Sequence, residues 1–224
     1  MADDSLADLT PNGVALPISA RDRERYTPPH YRWKDPEGKT FVPDDAPVYL
    51  LGPLTIAERR AVTRATLNAT GTFVTTLEIR QCLKDVAREF LEPAEADVID
   101  RDIDELGALE TLEGEAADAE ETQERIRATA NRILKAQSRL SRKAPALREL
   151  LAVQMGQLEA LAHFTVRACV RGWEHVPARY QRRGGFLTED ATAAIPEEDY
   201  EDLCQYCIAL REVTREQEPS SASL

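Results

Sequence analysis

Cys204 and Cys207 stand three residues apart in Cys-Gln-Tyr-Cys, the spacing of half a zinc site or of a redox pair. A four-ligand zinc site needs a second close pair, and Cys82, Cys169, His163 and His175 do not form one. The simpler reading puts both thiols on the buried face of a helix beside Tyr200 and Leu203. Cys169 with His163 or His175 supplies the groups of a nucleophile and its base. No nucleophile-elbow pattern flanks Cys169, however, and a Cys inside a Leu-rich helix usually packs. Arg182-Arg183-Gly184-Gly185 has the composition of an anion cradle, and equally that of a flexible loop, which is how we read it. Glu197, Glu198, Asp199, Glu201 and Asp202 offer oxygens to a hard cation. Acids gathered at a helix start have a simpler cause, attraction to its partial positive charge. We therefore expect no catalytic residue, no metal and no cofactor: a binding protein, not an enzyme.

The charge pattern fits that expectation. From Glu92 to Glu124 the chain has fourteen acids and one base, and from Arg125 to Arg148 eight bases and no acid. Such blocks either pair with each other across a helical hairpin or meet a charged partner, and mutual pairing is the simpler reading. The whole chain of 224 residues carries a net charge of −12, which disfavours nucleic acid because phosphate binding draws on Lys and Arg. A hydrophobic share of 42% and no run near the roughly 20 apolar residues of a membrane span argue for a cytoplasmic protein. Met1 is followed by acids, so no secretory signal is expected.

The elements that must position these residues are mainly helical. Residues 1–47, rich in Pro, Asp and Arg, read as an extended and partly disordered arm made adhesive by Tyr26, Tyr31, Trp33 and Phe41. Short apolar pieces at 41–42 and 48–51 allow at most a small β element, since Pro43, Pro47 and Pro53 limit them. Residues 48–215 read as one helical domain. Thr55 with Glu58 and Thr75 with Glu78 are capping-box signatures for helices over 56–69 and up to Phe90. The acidic block has Val98, Ile99, Ile103, Leu106, Leu109 and Leu112 at helical spacing, with breaks predicted at Gly107 and Gly114. Residues 117–140 then form a helix that is acidic at its start and basic at its end. Pro145 opens a helix that is apolar on several sides and hence central. A last helix follows Pro196, and 216–224 is a disordered tail. The expected fold is a helical bundle, with 92–144 a charge-split hairpin inserted into it.

Two segments resemble the tail assembly chaperones of tailed bacteriophages. One runs from Val48 through Leu-Leu-Gly-Pro-Leu-Thr to Arg60, a short apolar strand, a Leu-Thr turn and a helix opening with Glu and Arg. The other runs from Ala168 to Trp173, read as a helix ending in Gly-Trp, and on through a Gly loop to Glu201–Leu210. The resemblance implies a non-enzymatic helical protein of the host cytoplasm that binds the tape measure protein, recruits tail tube subunits and is absent from the mature virion. It also implies a longer frameshifted product. The alternative is a structural virion protein, a head-tail connector or scaffold; self-association fits either. Trp173 caps the core or anchors a partner, and with Phe164, Tyr200 and Trp33 it forms the expected partner-binding set.

Overall fold

The computed structural model describes residues 23–35, 37–112 and 119–216. Its strands and helices are, in chain order, β1 (Glu24–Tyr26), β2 (Trp33–Lys34), β3 (Thr40–Phe41), β4 (Val48–Leu51), α1 (Ile56–Thr70), α2 (Thr76–Phe90), α3 (Pro93–Leu112), α4 (Ala119–Ser141), α5 (Pro145–Cys169), β5 (Val170–Glu174), β6 (Arg182–Arg183), β7 (Phe186–Leu187), α6 (Glu189–Ala193) and α7 (Glu197–Glu216). A 3-10 turn spans Pro29–Tyr31. Helix predominates, and the strands form three small antiparallel sheets. Among the described residues no helix is long and apolar enough to cross a membrane.

Instead of one helical domain over 48–215, the chain divides into two compact units. The first is drawn from Met1–Ala69 and Glu159–Leu224, the second from Thr70–Leu158. The physical reason lies in the apolar faces. Leu147 of α5, with Leu150 and Leu151 beside it, packs with Leu83, Ile103 and Leu140, whereas Val166 and Cys169 of the same helix pack with Tyr49, Leu54 and Leu203. The several-sided apolarity of α5 thus reflects two cores rather than one central position. Between those ends α5 leaves Met155 and Leu158 exposed.

In the first unit β4 is the middle strand, with β1 and β5 on either side, both antiparallel. Alternation sends Tyr49 and Leu51 fully into the core, against Leu54, Val62, Val170 and Leu203. Two expectations are corrected here. Residues 24–26 are a paired strand with Tyr26 buried, so this piece of the arm is part of the sheet; residues 1–22 lie outside the described residues. The helix expected to end at Gly-Trp stops at Cys169, and Val170–Glu174 is a strand because its backbone finds partners on β4. Gly172 faces Leu50 there, where a Cβ would meet Leu50 Cδ1 at 3.1 Å. The loop over 182–187 likewise pairs as β6 and β7, turning through Gly184 and Gly185 at positive φ.

The second unit packs α2, α3 and α4 together with the start of α5. Thr75 and Glu78 form the capping box at α2: Glu78 N–H donates to Thr75 Oγ1 at 3.2 Å, and Thr75 N–H donates to Glu78 Oε2 at 2.7 Å. Ile79, Leu83, Val86 and Ala87 then meet Ala96, Ile99, Ile103 and Leu106. The helix α3 runs unbroken through Gly107 to Leu112, because its stripe is buried against neighbours that offset the glycine cost. Gly114 lies outside the described residues. The acidic helix is zipped on both flanks. Arg80, Lys84 and Arg88 of α2 reach Glu110, Asp104 and Asp100 at 2.6, 2.6 and 2.5 Å. Arg125, Arg132 and Arg139 of α4 reach Glu105, Asp102 and Glu95 at 2.8, 2.8 and 3.3 Å. Charges do pair across the expected hairpin, and α2 shares in that pairing from outside the 92–144 segment. The tail reading changes too, since α7 continues to Glu216; residues 217–224 lie outside the described residues.

Candidate interaction site

Asp199 lies in the first turn of α7 and is fully buried. Its place at a helix N-terminus favours the charge, but burial demands donors. Tyr49, delivered by β4, donates its hydroxyl to Oδ2 at 2.5 Å. The 3-10 turn brings His30, whose Nε2 stands 3.0 Å from Asp199 Oδ1, at ion-pair distance without hydrogen-bond alignment. Its Nδ1 stands 2.9 Å from Asp202 Oδ2. Burial, then the Asp199 charge, raises the pKa of the nearby Tyr31 hydroxyl and keeps it protonated. For Tyr49, burial and the same carboxylate push ionisation far above the usual phenol range, so it remains a donor. The acids at this helix start are therefore more than a solvated cluster: one of them ties the arm to α7 and β4. Sequence reading missed His30 and Tyr49, and the alternation of β4 was the available signal for Tyr49.

The arm is fastened at two further points. Arg25 makes a bidentate pair with Glu174 of β5 at 2.6 and 2.7 Å, and the Tyr206 hydroxyl donates to Glu24 Oε1 at 2.5 Å while its ring leans on Tyr26, centroids 4.4 Å apart. Within the same unit, Glu58 of α1 accepts two bonds from Arg171 of β5, at 2.6 and 2.9 Å. Burial pushes the Glu58 carboxyl up, but the Arg171 guanidinium and the Thr55 donors pull it down further, to about 2.

Of the expected partner-binding residues, Phe164 and Tyr200 come together and the other two stand apart. His163 joins them, its Nδ1 2.7 Å from the Tyr200 hydroxyl and its ring edge-on to Phe164 at 5.3 Å. Phe164 also meets Phe186 edge-on at 6.0 Å and carries the Arg167 guanidinium over its face at 5.7 Å. Arg167 pairs with Glu189 and donates to the Leu187 carbonyl at 2.8 Å. Burial, then Arg167, lowers the His163 basicity against the opposing pull of Glu189. Trp173 is half-buried in β5, packed against the core; it donates Nε1–H to the Ala178 carbonyl at 2.9 Å and meets Tyr180 edge-on at 5.4 Å. Trp33 alone is broadly exposed, at 56%, stacked on Phe41 across the β2–β3 pair.

Comparison with family models, curated proteins and solved structures finds no match to this chain. Cys169 and Cys207 are both free thiols; the neighbouring Cys169 and burial push the Cys207 thiol up, and the His163 ring is engaged with Tyr200 and Arg167. Burial raises the Cys204 thiol against the opposing Tyr200 hydrogen bond. Such thiols are poor nucleophiles. Arg182, half of the expected anion cradle, donates to the Ala168 and Gly185 carbonyls and so braces its own turn. Among the described residues no group of three or more His, Cys, Asp and Glu is placed to hold a metal ion. A shallow apolar groove of about 150 Å³ runs between Ala57 and Ala61 of α1, Ala168 and the Gly184–Phe186 turn. Large apolar side chains stand out elsewhere: Leu77 is 75% exposed, Phe73 61%, Met155 55% and Leu158 51%.

Proposed function

We propose that this protein works by reversible protein–protein binding, as a tail assembly chaperone that holds the tape measure protein and recruits tail tube subunits in the host cytoplasm. One observation carries the reading. The two segments that bear the resemblance lie more than a hundred residues apart in the chain, yet β4 pairs with β5, Glu58 with Arg171 and Tyr49 with Asp199. The family-like pieces thus belong to one folded unit, with the charged helices of the second unit inserted in sequence between them. Exposed Leu77, Phe73 and Trp33 supply apolar contact area of the kind a helical client presents in return. The inserted helices give this chain's version its own surface, and the acidic excess keeps a complex with an apolar client dispersed.

The test is co-expression with a tape measure protein, together with mass spectrometry of purified particles. Co-purification of the two proteins, weakened by Leu77→Ser or Trp33→Ser in folded variants, and absence from particles are the expected results. Stoichiometric presence in mature particles would instead favour the structural virion component, and absence from particles together with no association with either tail protein would remove both readings.

A further inference from the structure

The shallow groove beside α1 has a floor of small side chains and a basic border. Ala57 and Ala61 of α1, Ala168 near the end of α5 and the Gly184–Gly185 turn line it, with Phe186 beside them and about 150 Å³ of space between. Walls this small leave room for a leucine-sized group, since a cavity of about that volume admits a benzene ring. Arg60 and Arg64 stand three residues beyond Ala57 and Ala61, on the neighbouring strip of the helix, and Arg183 leads into the turn. All three are exposed, and none has a carboxylate partner among the described residues. The one acid that lines the groove, Glu58, is already bound by Arg171 at 2.6 and 2.9 Å. The groove therefore suits an occupant that brings apolar side chains and acids together.

The start of the chain has that composition. Asp3, Asp4 and Asp8 are interleaved with Leu6 and Leu9, and no Lys or Arg precedes Arg21. The place where this segment joins the fold is set by β1. Glu24 pairs with Leu51, Leu51 pairs with Val170, and the Gly52 N–H donates to the Cys169 carbonyl at 3.0 Å. Ala168 on the groove wall comes immediately before Cys169, so β1 begins at the groove's end of the sheet. The stretch from Leu9 to Arg23 can span up to roughly 45 Å, several times the width of three strands. We propose that residues 3–9 dock in this groove, with Leu6 and Leu9 laid on its floor of small side chains and Asp3, Asp4 and Asp8 facing Arg60, Arg64 and Arg183. The occupant is the chain's own acidic segment, and a partner that uses the groove must displace it.

Backbone amide NMR of the full chain tests this. Leu6→Ser combined with Leu9→Ser should shift the resonances of Ala57, Ala61, Ala168, Gly184 and Gly185 while those of Leu83 and Leu140, in the second unit, keep their positions. In the reverse direction, Arg60→Glu combined with Arg64→Glu, both at exposed positions, should shift the resonances of Leu6–Leu9. Groove resonances that coincide in the wild type and the double serine variant overturn the proposal, and so do shifts confined to other surfaces. Dilution of the wild type separates the chain's own segment from that of a second copy. Groove resonances constant over about a hundredfold dilution are expected, and resonances that move with dilution would give the groove to a second copy and overturn the proposal.

Discussion

In the second unit the ionised side chains stand around the core, and in the first unit some of them stand within it. The helices α2, α3 and α4 bury plain apolar stripes and pair their charges at the rim, where Glu110, Asp104 and Arg132 keep much of their water. The sheet unit buries Asp199 outright and half-buries Glu58 and Glu24, each bound by a tyrosine or an arginine from a distant part of the chain. Helical stripes close on their sequence neighbours, so charges can remain outside. A three-stranded sheet assembled from both ends of the chain needs polar ties that fix which ends meet, and those ties are buried by the meeting. The difference teaches that rim charges tune the second unit, whereas buried charges specify the first.

The largest effects should separate the two cores. Leu83 and Leu203 are fully buried, one in each unit, and either one replaced by Ala should cost about 2 to 5 kcal/mol. Both tryptophans, Trp33 and Trp173, belong to the first unit, so their emission reports on that unit. Urea unfolding of Leu203→Ala should move the emission midpoint. Leu83→Ala should move the far-ultraviolet dichroism midpoint and leave emission where it was. Coincident shifts of both probes in both variants would mean that the units unfold as one.

Next comes the half-buried ion pair of Glu58 and Arg171. The Glu58 carboxyl sits at about 2 in the fold against an ordinary 4.5, so its stabilisation is complete above pH 4.5 and is lost as pH falls toward 2. Glu58→Gln should remove about 2 to 3 kcal/mol at pH 7 and flatten the acid limb of the emission-detected stability curve between those values. An unchanged acid limb in the variant would place the pH dependence elsewhere. The smallest effects belong to the rim of the second unit. Arg80→Met and Lys84→Met should each cost less than about 1 kcal/mol, and the cost should shrink further as salt is raised. A cost of several kcal/mol, or one indifferent to salt, would break the contrast between tuning and specifying charges.

Much of the second unit was legible from periodicity. Ile79, Leu83, Val86 and Ala87 are buried as their spacing predicts, the Thr75–Glu78 box caps α2, and acids face bases across α3 and α4. The break predicted at Gly107 did not occur, because propensity is a weak local cost beside the burial of Ile103, Leu106 and Leu109. The first unit was harder to read. Val170–Glu174 looks helical in continuation of α5 and becomes a strand only because β4 offers it hydrogen bonds. Residues 24–26 look like part of a disordered arm until β4 pairs with them. The tie from His30 to Asp199 spans most of the chain, and nothing local to either residue announces it.

By itself the sequence determined the helices, their caps and the self-neutralising charge blocks, since each depends on residues within a few turns or one hairpin of each other. Only the tertiary structure decided that there are two cores, that α5 serves both, and that the arm is pinned by a buried carboxylate. Those outcomes rest on backbone and side-chain partners brought together from opposite ends of the chain, and such pairings leave no period or spacing in a sequence to be read.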